Sequence, residues 1–574
     1  MVGGKSARDL KWSRTRLIGK NQVLNSSVRI TFLGGLGEIG RNCAAIELEG
    51  RIVLLDCGQL FPYEHPGVDS ILPDFQWLLD RHDDIEACIV SHSHEDHMGG
   101  LPYLFRHVSA PIYGSPFTVA MVKAKLESHE VKIPSLVSIE DNENYKIGPF
   151  ECEFLPVTHS TPGGLMTVFR TPQGVILHSS DFKLDPSPVD GRLTDLSRVS
   201  EISEKEGIRL LLADSTNSES TGVSLSESEI GPVIENVFVE NEGRRIIVGT
   251  FSSHIHRIQQ IADAAVRTDR KLAILGPSMI RNVALARELG LLRISDGILL
   301  TEKELKSSKS DKVCIICTGS QAEPRAAISM MSTGSHPVVQ IGPNDTVIFS
   351  SSPIPGNEAS IFRIHNNLAR LGAQIDHSGK LKINTTGHGK AGELLALHEA
   401  RDPELFIPVH GEYTHLLGHE EIALGRGMRQ SKILRCVDGD SVCLDEDGLH
   451  LEKRVSDDYL MVDSRGVEVS KELLKERVSL SNEGFILVRV IVEEKKRRLL
   501  ERPFAATLGW IEAEQADRCL NEIIEEIIRV LDGALLDGEF DKKELTRLVR
   551  RTMGKFVDLN TGRRPVLVPL VEIN

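Results

Sequence analysis

The run His92-Ser93-His94-Glu95-Asp96-His97 sets three imidazoles and two carboxylates into six residues, just ahead of Gly99-Gly100. The preceding residues 85–91 (Ile-Glu-Ala-Cys-Ile-Val-Ser) read as a short buried strand, and Met98-Gly99-Gly100-Leu101 reopens the chain into a helix. A strand end that turns sharply points His92, His94, Asp96 and His97 into one small volume. Neutral imidazole suits zinc, iron and manganese, and a carboxylate beside it favours two cations over one. Packed this closely, the same groups would repel and desolvate one another without a cation between them.

Further candidates sit at other strand ends. His159 follows 154–158, Asp181 follows 175–180, Asp214 follows 210–213 and His410 follows 405–409, each an apolar stretch. A single histidine or acid in such a place is usually a hydrogen-bonded structural residue. Several of them in one chain with H-x-H-x-D-H point to a common site.

The elements that must position these groups fall into three parts. Strands read at 28–33, 52–57, 150–156, 166–171 and 175–180, with a glycine-rich turn at 34–40 that carries no dinucleotide context. From about Asp214 strands and helices alternate: 245–250, 256–266, 271–276, 279–289, 313–318 and 346–352. That alternation marks a parallel α/β unit. Residues 451–483 are charged and irregular and read as a connector, followed by a strand at 484–492, helices at 512–531 and 542–556 and a strand at 565–573.

At 574 residues the chain should hold more than one domain, and 40% apolar with 26% charged residues describes an ordinary globular protein. No apolar run approaches the ~18–20 residues of a membrane helix, and no secretory leader reads at the N-terminus. Nine cysteines without framework spacing fit a reducing cytoplasm. Cys314-x-x-Cys317 lies in an apolar strand pattern and reads as two small core residues. The net charge of −15 argues against a general nucleic-acid coat protein but leaves room for local basic patches, at Lys5–Lys20 and around Arg547, Arg550, Arg551 and Lys555.

Asp214-Ser-Thr-Asn217, Thr386-Gly387-His388 and Val409-His-Gly-Glu412 carry a resemblance. The chain is similar to the β-CASP nuclease branch of the metallo-β-lactamase fold, where an acid and two histidines form extra motifs; the separation 410 − 388 = 22 residues fits. Leu72-Pro-Asp74, Asp181-Phe-Lys183, Ser253-His-Ile-His-Arg257, Thr318-Gly-Ser-Gln321 and Ile354-Pro-Gly-Asn-Glu358 resemble, more narrowly, the ribonuclease J family in its actinobacterial form.

The resemblance implies an α/β protein: a metallo-β-lactamase αββα sandwich with an inserted β-CASP α/β domain and a small C-terminal α+β domain. The expected boundaries are a basic arm at 1–20, the sandwich at 21–217 and 377–455, the insert at 218–376, a linker at 456–483 and the last domain at 484–574. It implies a metal-dependent ribonuclease of RNA processing and decay, cutting internally and trimming 5′ to 3′ from 5′-monophosphate ends. Two divalent cations are expected per subunit, zinc first and manganese as the alternative. His92, His94 and His159 would hold one, Asp96, His97 and His410 the other, with Asp181 bridging and Asp56 behind the ligands. His388, polarised by Asp214, would be the general acid, and Asp96 belongs to the catalytic set as well. The 5′ phosphate would bind Ser253, His254 and Ile255 together with Asn384, Thr385, Thr386, Gly387 and His388. Expected partners are single-stranded RNA, further copies of the chain (a homodimer or homotetramer through the C-terminal domain) and other RNA-decay proteins, with no membrane.

Several residues depart from the family pattern: Ser93 for a glycine, Ser179-Ser180 for Thr-Gly, Thr161 and Gly163 for Ile and Asp, and Asn384 for His. None removes a ligand. Two other functions stay open on the sequence: a divergent hydrolase of a small ester or lactam, and a non-catalytic scaffold of RNA decay.

Overall fold

The computed structural model describes residues 27–62, 65–354, 356–538 and 541–574. The basic arm expected over 1–20 lies outside the described residues.

Two sheets stack face to face. One runs Leu449–Leu451, Ser441–Leu444, Val28–Gly34, Cys43–Leu48, Arg51–Leu55, Ile85–Ile89, Ile112–Gly114, Leu136–Ser138. The other runs Leu405–Val409, Ile208–Asp214, Gly174–His178, Gly164–Thr171, Phe150–Val157, Asn144–Ile147. Ile30, Phe32, Ile46 and Val53 pack between the sheets against Phe154, Phe169, Ile176 and Leu210. The alternate residues face outward under helices: Leu54 and Cys88 beneath Pro116–Ser128, Leu155, Val168 and Leu211 beneath Leu196–Glu206 and Ala391–Arg401. Both faces of the strands are buried, which is why they read as continuous apolar runs.

The chain leaves this sandwich after Ile208–Asp214 and re-enters it with Leu405–Val409, which lies beside it in parallel, Asp214 opposite Val409. Between the two lies a parallel sheet in the order Leu299–Leu300, Lys271–Leu275, Val313–Cys317, Arg245–Gly249, Asp345–Phe349, Gln374–His377. Because all six strands run the same way, their carboxyl ends share one edge, the place where doubly wound domains bind ligands. Cys314 and Cys317 are wholly buried in a central strand of this sheet, as their setting indicated. Phe117 and Met121 of the sandwich share a core with Met279 and Val283 of the insert.

In the last portion Phe485–Glu493 pairs with Phe504–Leu508 on one side and Val566–Ile573 on the other. Ala513–Leu536 and Lys542–Asn560 cover one face, through Ile523, Ile527, Val549 and Met553 on Ile486, Val488 and Val490.

The stretch 456–483, read as an irregular linker, is structured. Tyr459–Val462 pairs with Ser70–Pro73, and Lys471–Glu483 is a helix N-capped by Ser470. Its helical residues bury nothing fully, so the apolar spacing that betrays a packed helix is faint. Phe504–Leu508 also escaped the sequence reading, since Phe-Ala-Ala-Thr-Leu is short and poor in β-branched residues. Among the described residues no helix is long and apolar enough to cross a membrane.

Candidate metal centre

The strand Ile85–Ile89 delivers His92 and His94 from its carboxyl end, and the short helix Glu95–Met98 turns Asp96 and His97 back toward them. His159, Asp181, Asp214 and His410 arrive from the carboxyl ends of four strands of the facing sheet. The candidate ligands therefore meet at one end of the sandwich.

Two donor sets result, and a third group, Asp181, Asp214, His388 and His410, overlaps the second. His92 Nε2 and His159 Nε2 each lie 3.1 Å from His94 Nδ1. Asp181 Oδ2 lies 3.1 Å from His97 Nε2 and 3.3 Å from His410 Nε2, and Asp96 Oδ2 lies 3.5 Å from His97 Nε2. The same Asp181 oxygen is 3.6 Å from His92 Nε2 and 3.9 Å from His159 Nε2, so it borders both sets.

The other ring nitrogens are committed elsewhere, and this fixes which atoms face the centre. His97 Nδ1 donates to Asp56 Oδ2 at 2.8 Å, and His159 Nδ1 to the Gly387 carbonyl at 2.7 Å. His410 Nδ1 donates to Asn42 Oδ1 at 2.9 Å. Ser91 Oγ donates to Asp56 Oδ2 at 2.9 Å and accepts from His92 Nδ1 at 3.1 Å. These partners leave lone pairs at the inward-facing nitrogens. Unprotonated nitrogens 3.1 Å apart, and a His410 Nε2 buried without a hydrogen bond, form a donor set for cations. Four ligands at ~2.0–2.1 Å around a tetrahedral zinc stand about 3.3 Å from one another, so the spacing fits.

Charge divides the two seats. Burial, with neighbouring imidazoles adding to it, holds His92 and His159 well below the usual histidine range and His94 at about 4. Burial acts the same way on His97 and His410, but Asp181 and its neighbouring carboxylates overcome it and raise both. Without cations, the second seat therefore holds protons more readily than the first.

Beside the second seat, His388 Nδ1 meets Asp214 Oδ2 at 2.7 Å, and His388 Nε2 stands 4.0 Å from Asp181 Oδ2. Burial opposes a proton on His388, yet Asp214 and Asp181 prevail and raise it to about 9. A cation on Asp181 cancels part of that pull. Asn217 ties the motifs together, donating to Thr386 Oγ1 at 2.7 Å and the His388 carbonyl at 3.1 Å.

The expected phosphate-pocket residues are placed as follows. His254 is buried with neither ring nitrogen hydrogen-bonded, Nε2 standing 3.7 Å from Glu227 Oε1, and it opens the helix Ile255–Arg267. Ile255 is fully buried and offers only backbone, while Ser253 is half-buried. Arg257, buried, joins this segment to the other by donating to the Ile383 carbonyl at 2.7 Å and Asn384 Oδ1 at 3.2 Å. Thr385 Oγ1 is spent on the Leu225 carbonyl, and a side chain at Gly387 would strike the His159 ring at 2.7 Å. The glycine thus leaves room for the His159 ring.

The departures from the family pattern have local explanations. Ser93 Oγ and Thr161 Oγ1 are buried and hydrogen-bonded to each other at 2.8 Å, joining the two histidine loops. A Cβ at Gly163 would meet Ser115 Oγ at 2.3 Å. Ser179 Oγ accepts from the Asp214 amide at 3.0 Å, as a threonine would. Ser180 has φ +57°, a left-handed conformation that costs a non-glycine residue ~1–2 kcal/mol. Asp56 and His410 are left-handed too, at +59° and +54°, so strain collects at the centre.

Sequence reasoning found Asp56 but missed Asn42 and Ser91. Asn42 lies fifty residues before the ligand loop, just past the glycine-rich turn, and nothing local marks it. The turn gains its meaning from the short pairing of Leu36–Gly37 with Gly411–Glu412, next to His410.

Three family models match: "Metallo-beta-lactamase superfamily" over residues 36–215, "Ribonuclease J, beta-CASP domain" over 243–368 and "Ribonuclease J C-terminal domain" over 472–573. A ribonuclease J of Mycolicibacterium smegmatis is 39% identical over 547 residues, spanning 95% of this chain and 97% of its own. The chain belongs to the ribonuclease J family. Ribonuclease J of Mycobacterium tuberculosis is 38% identical, covering 96% of this chain and 98% of its own, and ribonuclease J 1 of Streptococcus pyogenes is 33% identical, covering 95% and 98%. A crystal structure of a protein of unknown function from Enterococcus faecalis V583 shares the fold at TM-score 0.51 and 15% identity, over 73% of this chain and all of that one. Membership of the ribonuclease J family and the His/Asp clusters together fit a binuclear metal site.

Two outcomes follow from this geometry. Ser180→Gly should stabilise the metal-free protein by roughly 1 kcal/mol, relief of the left-handed strain exceeding the entropic cost of glycine; a lower denaturant midpoint would refute the strain argument. Calorimetry of cation binding at pH 7 in buffers of different ionisation enthalpy should show proton release. Because neighbouring carboxylates raise His97 and His410 while burial lowers the imidazoles of the first seat, His410→Asn should reduce that release more than His94→Asn.

Proposed function

We propose that this protein hydrolyses phosphodiester bonds of single-stranded RNA, both internally and 5′ to 3′ from 5′-monophosphate ends. The observation that carries this reading is the joint placement of two cation seats on Asp181 and a His388–Asp214 pair beside them. His92, His94 and His159 would hold one cation, and Asp96, His97 and His410 the other, with Asp181 between. Three imidazoles suit zinc; the second seat, with two carboxylates, takes zinc or manganese. When bound, the pair supplies positive charge to the phosphoryl oxygens and acidifies water.

The chain's own groups direct the proton transfers. Water adds to phosphorus as the P–O3′ bond breaks, leaving a 3′ hydroxyl and a 5′ phosphate. His388 gives its Nε2 proton to the departing 3′ oxygen, while Asp214 holds Nδ1 and keeps the ring protonated and oriented. The proton lost by the incoming water leaves to solvent through the opening, where Asp96, its side chain 28% exposed, stays ionised because His97 and His410 overcome burial and hold it below the usual carboxylate range.

A preference for 5′ monophosphate is supported by His254. Burial and the Arg257 charge hold it well below the usual histidine range, with neither ring nitrogen hydrogen-bonded and Glu227 Oε1 3.7 Å from Nε2, at the start of a thirteen-residue helix. A phosphate there meets the helix dipole and gives the imidazole a partner.

Self-association through the last portion is supported by its uncovered sheet face. Phe504, Leu508 and Leu570 are 59%, 71% and 44% exposed, on the side opposite the helices. A second copy packed there would bury these apolar side chains, which flank Arg489 in the central strand.

The test uses a 3′-labelled RNA bearing a 5′ monophosphate or triphosphate, with zinc or manganese supplied. Shortening should prefer the monophosphate and vanish in an Asp96→Ala, His97→Ala double variant; no cleavage by metal-loaded wild type would overturn the reading. His388→Gln should lower kcat by ~10²–10⁴ with metal content unchanged. Since the acid must carry its proton, activity falls as pH rises through the His388 pKa, and Asp214→Asn should move that alkaline limb to lower pH. Leu508→Glu should halve the mass or more in light scattering; an unchanged mass would remove the sheet face as the interface.

A further inference from the structure

At the end of the strand Gln374–His377, the His377 ring stacks on His365, with centroids 5.2 Å apart and planes at 28°. His365 in turn packs edge-on against buried Phe349 at 4.3 Å, which anchors the pair to the core. Phe362, one turn back on the helix Glu358–Arg370, lies 6.0 Å from His365 and is 61% exposed. Burial, then the charges of His377 and Lys380, hold His365 at about 4, so the stack does not pair two cations. Exposed Lys380 and Lys382 follow on the loop that leaves His377.

The position of this cluster is fixed by the parallel sheet. His254 follows the strand Arg245–Gly249, and His377 ends the strand two places along, so the strands that lead to them stand about 10 Å apart at the ligand-binding edge. The intervening groups are continuous. Ser378 Oγ donates to the Ser351 carbonyl at 3.4 Å, Asn384 Nδ2 to Ser352 Oγ at 2.9 Å, and the backbone then runs through Thr386 to His388 at the metal centre. The phosphate pocket therefore lies between the metal centre and the aromatic cluster.

We propose that His377, His365 and Phe362 form a base-stacking platform for RNA extending upstream of the 5′-phosphate pocket. The inference rests on the ribonuclease reading above. An RNA whose 5′ phosphate is seated at His254 ends before the platform and never touches it. An RNA cut internally must continue past the pocket, where planar rings can stack its bases and Lys380 and Lys382 neutralise its phosphates. The platform thus sets the balance between internal cutting and trimming.

The experiment uses two RNAs with the same 3′ portion. One begins with a 5′ monophosphate at the pocket; the other carries extra upstream nucleotides, a 5′ triphosphate and 2-aminopurine in the upstream segment. His377→Ala should lower kcat/KM for the internal cut about tenfold, through KM, as loss of one base stack of ~1.4 kcal/mol requires. Trimming should stay within about twofold, and 2-aminopurine quenching on binding should disappear. His377→Phe should restore both signals, and Phe362→Ala should lower the internal cut in the same selective way. Equal losses on both RNAs, or undiminished quenching with His377→Ala, would overturn the platform. If wild type cleaves neither RNA, the ribonuclease reading fails, while the quenching still decides whether the platform binds.

Discussion

Ring nitrogens of His92, His97, His159, His388 and His410 all lie within 4.0 Å of a single carboxylate oxygen, Asp181 Oδ2. Burying so many polar atoms with so few protons is tolerable only if positive charge occupies the spaces among them. The surrounding architecture answers that demand. Asp56, Asn42, Ser91 and the Gly387 carbonyl each engage the outward nitrogen of a ring and so turn the inward one toward the centre. The left-handed backbone at Asp56, Ser180 and His410 is tolerated because the sandwich holds each strand end from both sides.

The candidate ligands were legible as a cluster because their chemistry is local. Three histidines and two acids within six residues have few alternative explanations, and strand-end acids and histidines acquire meaning from them. The strands were legible for a related reason: both faces are covered, so Ile208–Asp214 and Val313–Cys317 are unbroken apolar runs. Asn42 and Ser91 were not legible, since a hydrogen bond across 368 residues, from Asn42 to His410, leaves no trace in either neighbourhood. Neither was the Lys471–Glu483 helix, whose stability owes more to its Ser470 cap than to burial.

The substitutions that set this chain apart from its family pattern prove to be joined in space. Ser93 and Thr161 are 68 residues apart, yet their hydroxyls satisfy each other inside the protein. Had only one changed, a buried hydroxyl would lack its partner, which costs ~1–3 kcal/mol. The pair is best understood as one change in two places, and it braces the loops that carry His94 and His159. Ser180 has no such partner; its hydroxyl is buried and unbonded, so it remains the departure whose cost is uncompensated.

The order of the strands carries a consequence for synthesis. The parallel sheet of the insert draws every strand from 245 to 377 and can close on its own residues as they emerge, whereas the sandwich waits for Leu405–Val409 to complete its second sheet. His410, the last ligand, is residue 410 of 574. A growing chain on the ribosome is therefore unable to assemble both cation seats until more than two-thirds of it has been translated. A hydrolase built in this order stays inert beside the message that encodes it for most of its own synthesis.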